Sequence, residues 1–580
     1  MAGREWRWDA KPDPDETGNY IFHSLHSLVQ HWPHTRYRNG HSVVPAAVPP
    51  GTTLYHGRGN SSIPTQPEWL AFDPEHSYIF CGGECHLQTF VTTRELKLAY
   101  FDGNSAANLD SGTYDTMDLL LWGKVRPDMV WREWDRAKEA CEWGAKWGFD
   151  GFVRMEMDFE IVMCDFSKGL ELVNTHDLIP FAGHKLMGPD DQPKDGETRP
   201  GPGGGRGRRP SPPSDDDHSI DETDRRGRGP PGGGPGGPGG PGGPGGPGGP
   251  GGGGGRGGHG PGGPGGPGKD PEPDLPEMWQ GSVRSGGQVW WEVMQAGAWH
   301  NHFPGETRIR VDTSRMVTLF DTKYKSGVEA RRDHTRESFR AGDINEADVE
   351  LFRKEVESTF DHEGWGRDGQ SSGVDWIGLA RVVVDRYGDR LELLRHLLED
   401  KSERNVTESA EIVRQQLMTM LAPYMLNTAV PSNDTTSASD HQWVAPMAMH
   451  CALTHTHWMR SLTTLTPQER VLKTAVEDTL RQVCRVLSEM WIDAFAIEAD
   501  IKDEKFDKVE GVVAQWTVQV KDLMAWLDWN VWVKCRPECG PEEWCYIPTW
   551  PSIGWGGGQV DMTPKCVSKF ESRVGFPGGR

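Results

Sequence analysis

Residues 232–267 repeat Gly-Gly-Pro, and no segment of that composition can bury a core. The compositional shift runs from about residue 187 to 276, so the chain on each side must find its own apolar surface. Glycine recurs every third residue in places, as a collagen helix requires. The run is short and is broken by Gly251–Gly255, so it reads as a disordered, flexible linker. A flexible linker of that length would reach on the order of 50 Å. The chain therefore reads as multidomain. Its expected parts are an N-terminal extension (1–45), an α+β domain (46–186), the disordered Gly/Pro-rich linker (187–276), a mainly helical domain (277–534) and a Cys/Trp/Pro-rich tail (535–580).

The formal net charge of −23 argues against nucleic acid as the default partner. No apolar run approaches the ~18–20 residues of a membrane span. The start, Met1-Ala2-Gly3-Arg4-Glu5-Trp6-Arg7-Trp8, has no apolar segment of a secretory signal. The ten cysteines point the other way. They fall in two even sets: Cys81, Cys85, Cys141 and Cys164, then Cys451, Cys484, Cys535, Cys539, Cys545 and Cys566. The last four read as a disulfide-stapled tail. Sequons at Asn60, Asn405 and Asn433 fit the same compartment. The expectation is an extracellular or cell-surface protein.

Short apolar or alternating runs bounded by Gly, Pro and Asp predict strands at Thr53–His56, Trp69–Phe72, Leu87–Thr92, Leu96–Phe101, Gly151–Met155 and Phe159–Asp165. Helices are predicted around Ile21–Trp32 and over Val130–Trp147, the latter stopped by Gly148. Arg308–Phe320 reads as extended. Asp375–Leu398, Glu411–Leu426, Pro467–Ala496 and Val509–Trp532 carry apolar residues three and four apart, the period of amphipathic helices.

Three motifs carry chemistry. Tyr55-His56-Gly57 lies on one strand, Ala71-Phe72-Asp73 leads to Ser77-Tyr78, and Phe159-Glu160-Ile161-Val162-Met163-Cys164-Asp165 forms a late strand. On these residues the region of about 50–175 resembles the ADP-ribosyltransferase fold of the His-Tyr-Glu class. The resemblance implies NAD as the substrate, with His56 on a ribose hydroxyl, the Gly57 backbone on the carboxamide and Tyr78 stacked on nicotinamide. Glu160 would stabilise the oxocarbenium-like state, as carboxylates do in glycoside chemistry. Its catalytic residues would then be His56, Tyr78 and Glu160. The implied partners are a nucleotide substrate and a protein acceptor. Glu156, Asp158 and Glu160 alternate, which puts all three on one face of a strand; there they are solvated, meet a cation, or include one with a raised pKa.

Other constellations are weaker. The cysteines of the tail lack standard zinc spacing, and disulfides are the stronger reading. Cys81 and Cys85 are placed to close a small loop. His450, Cys451, His455 and His457 lie in a helical region and read as core or surface, so no metal ligands are assigned. The Arg-Gly stretch around Arg206–Arg228 lacks interleaved aromatics and neighbours Asp215–Asp217, against an RNA-binding role. Trp69–Phe80, Tyr100–Ala107 and Val382–Tyr387 resemble segments of large uncharacterised proteins of filamentous fungi. Two classes of function stand: an NAD-cleaving transferase or glycohydrolase, and a non-catalytic extracellular or cell-surface protein that uses the same fold for binding.

Overall fold

The computed structural model describes residues 7–81, 84–109, 111–179, 286–360, 371–400, 404–428, 441–549 and 561–570. The Gly/Pro tract, its Arg-Gly stretch and Asn433 lie outside them. The described residues all belong to the first of two units, the one spanning 1–192 and 276–580.

The first unit is built on a sheet. The strands are β1 (Ser42–Val48), β2 (Thr53–Arg58), β3 (Glu68–Ala71), β4 (Cys85–Thr92), β5 (Leu96–Phe101), β6 (Gly151–Met155), β7 (Phe159–Met163), β8 (Leu170–Leu178), β9 (Arg310–Val311) and β10 (Val317–Thr318). They lie in the order β10-β1-β5-β6-β7-β3-β2-β4-β8, with β9 also on β1. Only β5–β6 is parallel among these pairs. The helix Glu133–Gly144 lies in the crossover from β5 to β6, as a parallel connection requires. It ends near Gly148, whose φ of +70° suits glycine.

The sheet draws strands from both sides of the Gly/Pro tract. β1 is a fully buried run of Ser42-Val43-Val44-Pro45-Ala46-Ala47-Val48, with no alternation to announce it. A central proline ordinarily disqualifies a strand. Here β9 takes Ala46 and Ala47 and β10 takes Ser42 and Val43. Pro45 faces the break between them, where its carbonyl accepts from Asp312 N–H at 2.7 Å. No partner needs the N–H that proline lacks.

Both faces of the sheet are covered. One carries Val44, Ala46, Leu54, Leu70, Phe90, Leu98, Val153 and Ile161. These share a continuous core with helix α1 (Gly18–Ser27) and the helices Trp376–Glu399, Val406–Leu421, Pro467–Ala496 and Phe506–Leu527. Full burial of a side chain such as Leu54 stabilises by about 1.5–3 kcal/mol. The opposite face carries Val43, Ala99, Phe101, Phe152 and Val162, packed on helices Asp115–Trp122, Glu133–Gly144 and Glu346–Phe360. The sheet-rich N-terminal part and the helical C-terminal part are thus both present. They pack on one another rather than standing apart on a tether.

The long helices sit close to their expected places. Pro467–Ala496 starts on a capping box, in which Thr466 accepts from Glu469 N–H. It buries Leu472, Val476, Leu480, Val483, Leu487 and Met490, spaced three or four apart. The predicted helix at Ile21–Trp32 is instead two: α1 and α2 (His31–Arg36). Every cysteine is paired: Cys81–Cys85, Cys141–Cys164, Cys451–Cys484, Cys535–Cys545 and Cys539–Cys566. The last two staple the hairpin of β11 (Glu543–Tyr546) and β12 (Lys565–Ser568). With their thiols spent in disulfides, neither the tail cysteines nor Cys451 can serve as metal ligands.

Candidate functional site

Strand register decides which expected site residues meet. Tyr55 pairs with Ala71, Ala71 with Glu160, and Glu160 with Arg154. Residues directly opposite one another in neighbouring strands point to the same face. Glu160 therefore shares a face with Tyr55, and His56, one residue along, points to the other. The imidazole of His56 and the carboxylate of Glu160 lie on opposite sides of the sheet.

Each is engaged where it lies. The His56 Nδ1–H donates to Trp69 O at 2.7 Å, and Nε2 sits 2.8 Å from Glu68 Oε2. The ring is buried 5.5 Å from that of Phe166. Glu160 takes Arg154, which also holds Glu133 of the crossover helix. Tyr78 ends the short helix α3 (Pro74–Tyr78), half-buried, and its hydroxyl donates to Ile179 O. Gly57 is needed for packing: a Cβ there would stand 2.0 Å from Ser77 O in α3. Among the described residues, one cavity is lined by His23, His34, His41 and Arg336, and another by Tyr114, Asp115 and Asp118. Neither includes His56, Tyr78 or Glu160.

The alternation of Glu156, Asp158 and Glu160 is not strand alternation. Met155 pairs with Phe159, so Glu156–Asp158 form the turn between β6 and β7, closed by Glu156 N–H donating to Asp158 O at 3.1 Å. All three carboxyl groups are buried, not solvated.

What the fold assembles instead is a buried acid–base cluster around that turn. Gly57 lets α3 lie against β2, and Ser77 Oγ fastens it by donating to Tyr55 O at 2.7 Å. This brings His76, wholly buried, to 3.0 Å from Glu156 Oε1. Ligand atoms of His76, Glu156 and Glu160 lie within 4.8 Å of one another. Burial opposes a charged imidazole, but Glu156, Asp158 and Glu160 outweigh it and push His76 up to about 9. Burial pushes Glu156 up to about 7 against the pull of His76, and Asp158 up to about 7. Glu160 is also raised by burial, against the pull of Arg154. Perturbed, buried titratable groups of this kind gather at functional sites, and also in structural ion-pair networks.

Beside it stands a second group. Asp73, at the head of α3, Asp158 and His300 bring ligand atoms within 4.8 Å of one another. Arg308 donates to Asp73 Oδ2 at 3.0 Å, to Phe72 O at 2.7 Å and to Glu306. His300 follows the helix Gly286–Ala298, whose Gly297 closes on the turn: a Cβ there would meet Met157 O at 2.4 Å. His76, His300, Glu306 and Arg308 escaped sequence reasoning. The one local signal was Asp73-Pro74-Glu75-His76, a helix start that places an acid and a histidine one turn apart.

Comparison with known proteins bears on the N-terminal part. Residues 14–84 and 81–190 match the family described as the YPL277C N-terminal domain. The chain is 31% identical over 210 residues to the uncharacterized protein YOR389W of Saccharomyces cerevisiae, covering 27% of this chain and 33% of the relative. It is 30% identical over 211 residues to the uncharacterized protein YPL277C of the same yeast, covering 27% of this chain and 43% of the relative. The chain thus spans under half the length of these relatives. The likeness is to uncharacterised fungal proteins, here of a yeast rather than of filamentous fungi. No solved structure matches the chain.

Proposed function

We propose that this chain is a non-catalytic fungal binding protein of the cell surface or extracellular space. The observation that carries this reading is the parity of β2 against β7. An NAD-cleaving site needs an imidazole and a carboxylate on one cleft; here His56 and Glu160 share no face, and each has its own partner. The compartment is supported by five disulfides that use every cysteine, and by the exposed side chains of Asn60 and Asn405.

The competing reading keeps NAD as substrate and His56, Tyr78 and Glu160 as catalytic residues. One assay separates the two. The full chain is incubated with NAD and nicotinamide release is followed, with Glu160→Gln as control. The binding reading expects no release above the control. Release by the wild-type chain that the substitution abolishes overturns it.

A further inference from the structure

We infer that Asp73, Asp158 and His300 form a binding site for one divalent transition-metal ion, of the zinc or manganese class. This inference stands whether or not the protein cleaves NAD. One imidazole and two carboxylates are a donor set suited to such ions.

Three observations carry it. Asp158 is wholly buried; its Oδ1 accepts from Phe159 N–H at 2.7 Å, while Oδ2 has no hydrogen-bond partner. A carboxylate oxygen in that position has lost water and gained nothing, which is costly unless a cation or a proton meets it. His300 is oriented as a ligand histidine is: Nδ1–H faces the carbonyl of Gly305 at 3.3 Å, which turns Nε2 toward the carboxylates, 3.2 Å from Glu306 Oε2 and 3.6 Å from Asp73 Oδ2. The third observation is charge. Asp73, Asp158 and Glu306 gather three carboxyl groups about a single guanidinium, that of Arg308, which serves as the outer partner that holds Asp73 and Glu306 in place.

The neighbouring His76–Glu156–Glu160 group lacks this deficit. His76 pairs with Glu156, and Arg154 with Glu160. The three groups of the proposed site already offer ligand atoms within 4.8 Å of one another; around a tetrahedral ion they would draw in to about 3.4 Å.

The test uses the full chain, stripped with a chelator, dialysed and incubated with Zn2+ alone. The expected result is one tightly held equivalent, a raised melting temperature, and X-ray absorption showing nitrogen and oxygen neighbours at about 2.0–2.1 Å without sulfur. Asp158→Asn and His300→Gln should each weaken binding by about 100-fold or more, while Glu156→Gln leaves it within a few-fold. If Asp158→Asn fails to fold, His300→Gln and the absorption spectrum decide. Absence of a stoichiometric site, sulfur in the first shell, or binding that survives His300→Gln but not Glu156→Gln would overturn the assignment.

Discussion

Replacing Glu160 with Gln separates a structural carboxylate from a catalytic one. The substitution keeps the shape and one acceptor oxygen, and removes one charge from a pair in which both side chains are almost fully buried. Breaking such a pair on one side costs about 3–5 kcal/mol, because the surviving charge stays desolvated. Arg154 would keep Glu133, whose side chain is 18% exposed and so only a partial substitute. The expected loss is therefore about 2–4 kcal/mol, a large share of the ~5–15 kcal/mol that holds a domain folded. Urea unfolding with the disulfides intact measures it. Replacing Arg154 and Glu160 together by Met should recover most of the loss, since no buried charge is left behind and Glu133 can turn to water. A Glu160→Gln chain within about 0.5 kcal/mol of wild type, outside the range expected of a buried pair, would refute the reasoning. It would return Glu160 to the list of catalytic candidates.

Three further outcomes are expected from the structure. Burial holds His26, His34 and His41 at about 3 against an ordinary 6.5, and His34 Nδ1 accepts from Gly103 N–H at 3.0 Å, a bond that protonation destroys. Their folded pKa values are depressed, so below about pH 6.5 the unfolded chain takes up protons that the folded one refuses. Each of these histidines gives its full stabilisation above that pH and loses about 2 kcal/mol of it at pH 5. Because the raised Glu156, Asp158 and His76 act in the opposite sense, the effect is read as the difference between wild type and His26→Gln. A variant whose urea midpoint shifts between pH 7.5 and 5 just as the wild type's does would contradict it. Gly57→Ala should cost about 2–4 kcal/mol by pushing α3 off β2, read by thermal unfolding, and a chain as stable as wild type would show that α3 does not pack there. Secreted chain should show no free thiol after denaturation and an endoglycosidase-sensitive mass at Asn60 or Asn405; titratable thiols on the unfolded chain would count against the oxidising compartment.

Much of the fold is legible in the residues. Apolar spacing of three and four marks Pro467–Ala496 because that helix buries one stripe against a core. β2 to β7 announce themselves by short runs between turn residues. β1 does not, since burial on both faces erases alternation and Pro45 argues against a strand until the split partners β9 and β10 are known. Lys325–Arg332 and Glu346–Phe360 are helices that patterning also missed. The site was the hardest part. Residue types alone place His56, Tyr78 and Glu160 on plausible elements, but the face each one takes depends on the register of β2 on β3 and β3 on β7. Register is set by tertiary packing, and a one-residue slip exchanges the two faces. His300 and Arg308 reach the turn from beyond the Gly/Pro tract, which no local pattern reveals.

The separation of His56 from Glu160 is tested most directly by the coupling energy between His56→Gln and Glu160→Gln, from a double-mutant cycle in urea unfolding. The two side chains have different partners on different faces, so the losses should add to within about 0.5 kcal/mol. An interaction energy above about 1 kcal/mol, of the size found for groups in one network, would place imidazole and carboxylate in a common site and contradict the account.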